Sequence, residues 1–221
     1  KSSSTSEAGG IQFTTDTSTP KLTNSLIFSN SGGIAATLGN QLKHVGAGSV
    51  QMTCCSVQSF AGAVSGFAAT NCLAFASSQI VDGNGADNTF GTLDDDFRPV
   101  PCSDLIDAGD NNGIALDAGD LDGDGVDTDS LPTDFSQRLR RVEMPVPNSG
   151  LGSGAAVDIG LFEFQLTDLP DPDFNNDGHV DAADLAILLG AWLAVGGEHD
   201  LNGDCTVDAS DLAILLGAWT A

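Results

Sequence analysis

Asp173-Phe174-Asn175-Asn176-Asp177-Gly178-His179-Val180-Asp181-Ala182-Ala183-Asp184 recurs 27 residues later as Asp200-Leu201-Asn202-Gly203-Asp204-Cys205-Thr206-Val207-Asp208-Ala209-Ser210-Asp211. Both run into the same nonapeptide, Asp-Leu-Ala-Ile-Leu-Leu-Gly-Ala-Trp, at 184–192 and 211–219. Each dodecapeptide places oxygen-bearing side chains at its positions 1, 3, 5, 9 and 12. Oxygen donors at alternate positions let a short backbone arc wrap a hard cation, and this spacing is that of a calcium loop. Val180 and Val207, at the eighth position, are placed to tie each loop to its partner. Chance could produce one such loop in an Asp-rich chain, but not two with identical sequels. Residues 173–221 are therefore expected to form a helical module with two calcium loops.

Before this module, Leu169-Pro170-Asp171-Pro172 makes 166–172 a stiff connector, because proline fixes its own φ and drives the residue before it extended. Residues 82–165 are Asp- and Gly-rich. Two stretches there also suggest calcium turns. One begins Asp82-Gly83-Asn84-Gly85-Ala86-Asp87, and the other holds Asp120, Asp122 and Asp124 with Gly123 and Gly125. The second has Leu131 where a twelfth-position carboxylate would stand, so both remain open between a cation site and a solvated acidic turn.

Residues 1–81 hold only two acidic residues, Glu7 and Asp16, against twenty-nine in the rest of the chain. Short apolar runs at 26–28, 50–52, 73–75 and 80–81, punctuated by Gly and Asn, read as strands. Thr23-Asn24-Ser25-Leu26-Ile27-Phe28-Ser29 recurs as Thr70-Asn71-Cys72-Leu73-Ala74-Phe75-Ala76. That spacing of 47 residues suggests two turns of a solenoid with rungs in the low twenties, and Asn24 and Asn71 in one inward asparagine ladder. A β-sandwich is the competing reading.

Two resemblances sharpen these expectations. Asp104-Leu105-Ile106-Asp107-Ala108-Gly109-Asp110 and Val157-Asp158-Ile159-Gly160-Leu161-Phe162-Glu163-Phe164 resemble the closing segment of bacterial right-handed parallel β-helix surface proteins of the choice-of-anchor Q group. The resemblance covers roughly 20–165, and Leu161 stands where that group usually has Ala. It implies a mainly β chain: β-helix coils at 1–81 and a closing segment at 82–165, with an extracellular structural role and no agreed activity. The duplicated loops resemble a type I dockerin. That resemblance implies Asp173, Asn175, Asp177 and Asp184 as side-chain calcium ligands of the first site, with the His179 carbonyl and, through water, Asp181. In the second site it implies Asp200, Asn202, Asp204 and Asp211, the Thr206 carbonyl and Asp208. Cys205 departs from the pattern by replacing the sixth-position Gly, which weakens the second site. The tenth and eleventh loop positions are Ala182-Ala183 and Ala209-Ser210, and neither following helix carries a basic residue.

Composition bounds what such a protein can do. The formal charge of −24, from 31 acidic and 7 basic residues among 221, repels phosphate backbones and anionic lipid, so neither nucleic acid nor membrane insertion is expected. The 41 % hydrophobic fraction argues against wholesale disorder. Beginning at Lys1 rather than Met, the chain reads as a piece of something longer, from a secreted or surface protein. Of five cysteines, Cys55 and Cys72 could bridge or stay inert thiols, and the odd total leaves at least one unpaired. His44 and His199 stand outside any ligand spacing.

The acids of 1–81 share no rung register, which argues against catalysis in this chain. Polysaccharide-degrading enzymes remain the competing class, with polysaccharide as their ligand. The helix after each calcium loop is apolar all the way round, so Leu185, Leu189, Trp192, Leu212, Leu216 and Trp219 are expected to face a partner. That partner is either a cohesin-like β-sandwich or another copy of this chain, and assembly into a filament would follow from the second. The competing reading packs both helices against the chain's own β-helix end.

Overall fold

The computed structural model describes residues 10–14, 17–30, 41–120 and 123–220. Strands β1 (Ile11–Thr14) and β4 (Leu42–Val45) pair in parallel. Strands β2 (Lys21–Thr23), β5 (Val50–Thr53) and β7 (Phe67–Thr70) form one parallel three-stranded sheet. Strands β3 (Leu26–Ile27), β6 (Ser56–Gln58) and β8 (Leu73–Phe75) form another. The chain steps from the first sheet to the second through corners at Asn24, Cys54 and Asn71, all left-handed with φ of 51°, 48° and 50°. Asn tolerates that region because its short polar side chain can bond locally, whereas Cys54 holds it while wholly buried. Val50 and Met52 of β5 and Val57 of β6 are fully buried, and β5 alternates buried and less buried positions with the two-residue period of a strand. A stacked pair, Phe28 and Phe75 (centroids 4.3 Å apart), packs with Cys54, Ile80, Leu105 and Ile159 in one core cluster, with Phe90 and Phe97 edge-on to Phe28.

This corrects the right-handed parallel β-helix expected over 20–165. Two equal rungs in the low twenties would pair successive strands at one constant spacing. Here Lys21 pairs with Gln51, 30 residues on, and Gln51 pairs with Ala68, only 17 on. Next, β9 (Ile80–Asp82) and β10 (Asp96–Pro99) pair antiparallel, with Asp82 opposite Asp96. Among the described residues no sheet closes or continues as a coil. The asparagine ladder fails with it: Cys54 stands between the two asparagines, and their side chains bond elsewhere. Asn24 Nδ2 donates to the Asp110 carbonyl (2.9 Å) and its Oδ1 accepts the Asp110 amide (2.6 Å), while Asn71 Nδ2 donates to the Ser149 carbonyl (3.2 Å).

The Asp- and Gly-rich stretch after β10 has isolated bridges and two single turns of 3₁₀ helix, at Asn111–Gly113 and Leu166–Asp168. Scattered backbone bonds satisfy part of its amides, and buried carboxylates satisfy several others where no ladder runs. Asp158 accepts the amides of Asp107 and Phe164, Glu163 accepts those of Val142 and Asp158, and Asp134 accepts those of Ser136, Arg138 and Glu163. All three carboxylates are nearly or fully buried. A buried amide left unpaired costs about 1–3 kcal/mol, so these side chains do the work that strands do elsewhere. The connector is anchored as well: Leu169 packs on Ile106, Met144 and Phe164, and Arg138 Nη1 meets the Asp168 carboxylate at 2.8 Å. Helices α1 (Ala182–Gly190) and α2 (Ala209–Gly217) complete the chain.

Candidate metal centre and docking face

Each helix begins where its loop ends, for the same local reason. Asp181 caps α1 by accepting the Ala183 amide at 2.7 Å, and Asp208 caps α2 by accepting the Ser210 amide at 2.7 Å. The twelfth-position carboxylates reach back to close a capping box: Asp184 Oδ2 accepts the Asp181 amide (2.9 Å) and Asp211 Oδ2 the Asp208 amide (2.7 Å). The other oxygen of each turns into its loop, to the amide of Asn175 at 3.2 Å and to those of Leu201 and Asn202 at 2.7 and 3.2 Å. The first-position carboxylates bond inward too. Asp173 accepts from Asp177 and Gly178, and Asp200 from Gly203 and Cys205. Both loops turn left-handed at positions 4 and 6: Asn176 (φ 57°) and Gly178 (89°) in the first, Gly203 (77°) and Cys205 (70°) in the second. The turn that asks for Gly at position 6 is thus real at Cys205.

The loops do not tie to each other through their valine backbones as expected. Val180 donates to Thr220 Oγ1 (2.8 Å) and accepts the Thr220 amide (3.0 Å), just beyond α2. Val207 bonds Leu193 and Ala194, just beyond α1. Each loop is therefore closed by the tail of the other repeat's helix. The valine side chains share one core with Leu188, Leu201 and Leu215.

The donor set suits a hard cation: oxygen side chains at positions 1, 3, 5, 9 and 12 of each loop, with the twelfth-position carboxylates fully buried. Backbone amides, above all that of Asp181, hold Asp184 below the usual carboxylate range. Burial, reinforced by the neighbouring Asp211 and Asp204, pushes Asp200 above it. Like charges crowded this way favour a cation among them. No three carboxylate oxygens of either loop lie within 4.8 Å of one another among the described residues; each has turned to an amide. Among the described residues the one triad that close is Cys102, Asp200 and Cys205.

That triad contains what the sequence reading missed. Cys102 and Cys205 form a disulfide across 103 residues, with Cα atoms 5.5 Å apart. Cys54, Cys55 and Cys72 are free, so the Cys55–Cys72 bridge is not made. The odd substitution at position 205 was the only signal, and nothing local to it points to Cys102.

Among the described residues, the suggested turns outside the module gather no carboxylate triad. Asp82 Oδ1 accepts the Asn84 amide, Asn84 Nδ2 bonds Asn88, and Asp87 Oδ1 accepts from Thr89. Asp120 accepts the Gly125 amide and Asp124 the Val126 amide, while Asp122 lies outside the described residues.

On the helices, Leu188 and Leu215 are fully buried, and Leu185 and Leu212 pack partly against that core rather than facing out. Leu189 (51 % exposed), Trp192 (39 %), Leu216 (52 %) and Trp219 (41 %) lie open, as does Ile214. The two repeats expose the same Leu and Trp, whereas Ile187, the counterpart of Ile214, is half-buried. No helix is long and apolar enough to cross a membrane among the described residues.

Residues 171–217 match the family model of the Dockerin type I domain. The match spans both loops and both helices, and does not reach the residues that resembled β-helix surface proteins. No curated protein and no solved structure matches the chain.

Proposed function

We propose that this chain is a non-catalytic extracellular attachment protein whose terminal module docks onto a cohesin-like β-sandwich when its two loops hold calcium. The observation that carries the reading is the duplication: two loops with the same oxygen pattern, each leading to a helix with the same exposed Leu and Trp. When bound, calcium would neutralise the crowded carboxylates. Asp173, Asn175, Asp177 and Asp184 would hold it in the first loop, and Asp200, Asn202, Asp204 and Asp211 in the second. Asp181 and Asp208 hold the helix starts, so loop order and helix order are coupled through shared carboxylates. The exposed strip then presents Trp192 and Trp219, the residue type most enriched among interface hot spots.

An oxidising compartment is supported by the Cys102–Cys205 disulfide, since such bonds persist outside the cytosol. The non-catalytic reading is supported by how the body uses its acids: Asp107, Asp134, Asp158 and Glu163 are buried and engaged by backbone amides. The test is affinity capture of a panel of cohesin domains by the full chain, in calcium and then in chelator. Capture by at least one cohesin in calcium only, lost in Trp192→Ala/Trp219→Ala, is expected. Concentration-dependent sedimentation of the chain alone, lost in chelator, would favour a second copy of this chain instead. Failure of both would overturn the docking reading.

A further inference from the structure

The two calcium loops share a pattern but not a setting. In the first, Asn175 through His179 are exposed, and a side chain added at Gly178 would meet nothing within 4 Å. In the second, Asp200, Leu201 and Gly203 are buried. A Cβ at Gly203 would come within 2.9 Å of Leu169 and 3.0 Å of Met144, so this loop is seated on the connector and the Asp- and Gly-rich body before it. Cys205, left-handed at a place where a Cβ is unfavourable, is the residue bonded to Cys102 of that body. Its amide donates at 2.8 Å to Asp200 Oδ2, the first-position carboxylate, which is fully buried beside the disulfide.

We propose that Cys102, far outside the module, is a positioning residue for the second calcium site: the disulfide holds Cys205 in its left-handed turn and thereby aims Asp200, so that this site alone is tight when the bond is formed and weak when it is reduced. The inference rests on the calcium reading above. A dithiol reductant supplies the redox step. Its two thiols give two electrons and two protons to the Sγ–Sγ bond, leaving Cys102 and Cys205 as thiols and the reductant as its cyclic disulfide. Freed, the loop must adopt its ligand geometry from a wider ensemble, and the loss of preorganisation appears as weaker binding. The first loop, with Gly178 in the same turn and no tether, has nothing to lose. The same bond adds a covalent link between module and body to the packing at Leu169 and Met144.

The test uses the full chain with one loop disabled at a time. Asp184→Ala leaves the second site to be read and Asp211→Ala leaves the first, each titrated calorimetrically with calcium before and after dithiol treatment, and again with Cys102→Ser. Reduction or Cys102→Ser should weaken the second site by roughly tenfold or more, since cross-links of this span restrict the open chain strongly. The first site should hold its affinity, which also shows that the chain remains folded. Cys205→Gly should recover part of the loss, because Gly takes the turn without a tether. Equal affinity of the second site in oxidised, reduced and Cys102→Ser chains would overturn the inference. So would recovery of Cys102 and Cys205 as separately alkylated thiols from untreated protein. An untreated chain with both loops intact that takes no calcium would sink the calcium reading itself.

Discussion

One oxygen of Asp158 accepts the backbone amide of Asp107 at 2.8 Å, joining two segments 51 residues apart in the chain. Its other oxygen takes the amide of Phe164 at 2.7 Å. Burial pushes Asp107 up to about 6, Asp158 to about 7 and Glu163 to about 9, and the Asp158 charge adds to the effect on Glu163. A carboxyl group whose folded pKa is raised binds its proton more tightly in the native chain. Its contribution therefore favours folding at low pH and fades as pH rises from about 4 through those values. At saturating calcium, Tm should fall between about pH 5 and about pH 9, by the equivalent of at least about 1 kcal/mol. Glu163→Gln should flatten the fall. A Tm that is level or rising across that range, unchanged by the substitution, would contradict it.

Calcium removal should act on the module first. With no Lys or Arg after Arg141, the loop carboxylates have no lysine or arginine in that stretch to offset them. Titration of the full chain should show two calcium sites, Asp184→Ala and Asp211→Ala should each abolish one, and chelator should lower helical circular dichroism. Two sites surviving in either variant would mean that the ligands are elsewhere.

Leu188 and Trp192 should separate stability from docking. Leu188 is fully buried, so Leu188→Ala should cost about 2–5 kcal/mol of stability. Trp192→Ala and Trp219→Ala should leave Tm nearly unchanged, yet each should cost roughly 2 kcal/mol or more of partner binding. Large losses of Tm in the Trp variants, with partner affinity intact, would make these residues internal packing.

Asn24 and Asn71 occupy matching corners, but only Asn24 makes a two-way bond, to both backbone groups of Asp110. Asn24→Ala should destabilise by about 2 kcal/mol, and Asn71→Ala, losing one exposed bond, by less than about 1 kcal/mol. Equal losses in denaturant unfolding would show that the corners are interchangeable.

The sequence by itself determined what lies within a dozen residues. The loop oxygens, the Asp caps of α1 and α2 and the match at 171–217 were legible because ligands, caps and helix starts interlock over one short stretch. The apolar runs at 26–28, 50–52, 73–75 and 80–81 do carry strands, and the Thr-Asn repeat does mark matching corners. Tertiary structure decided the rest. Whether strands stack as a coil depends on the chain consumed between them, and offsets of 30 and then 17 residues, followed by an antiparallel turn, are set by packing rather than local pattern. Asp158 and Glu163 look like surface acids in a chain of charge −24 until folding buries them against distant amides. Cys102 and Cys205, 103 residues apart, are joined only because the body and the second loop meet, and proximity of that kind leaves no mark on either neighbourhood.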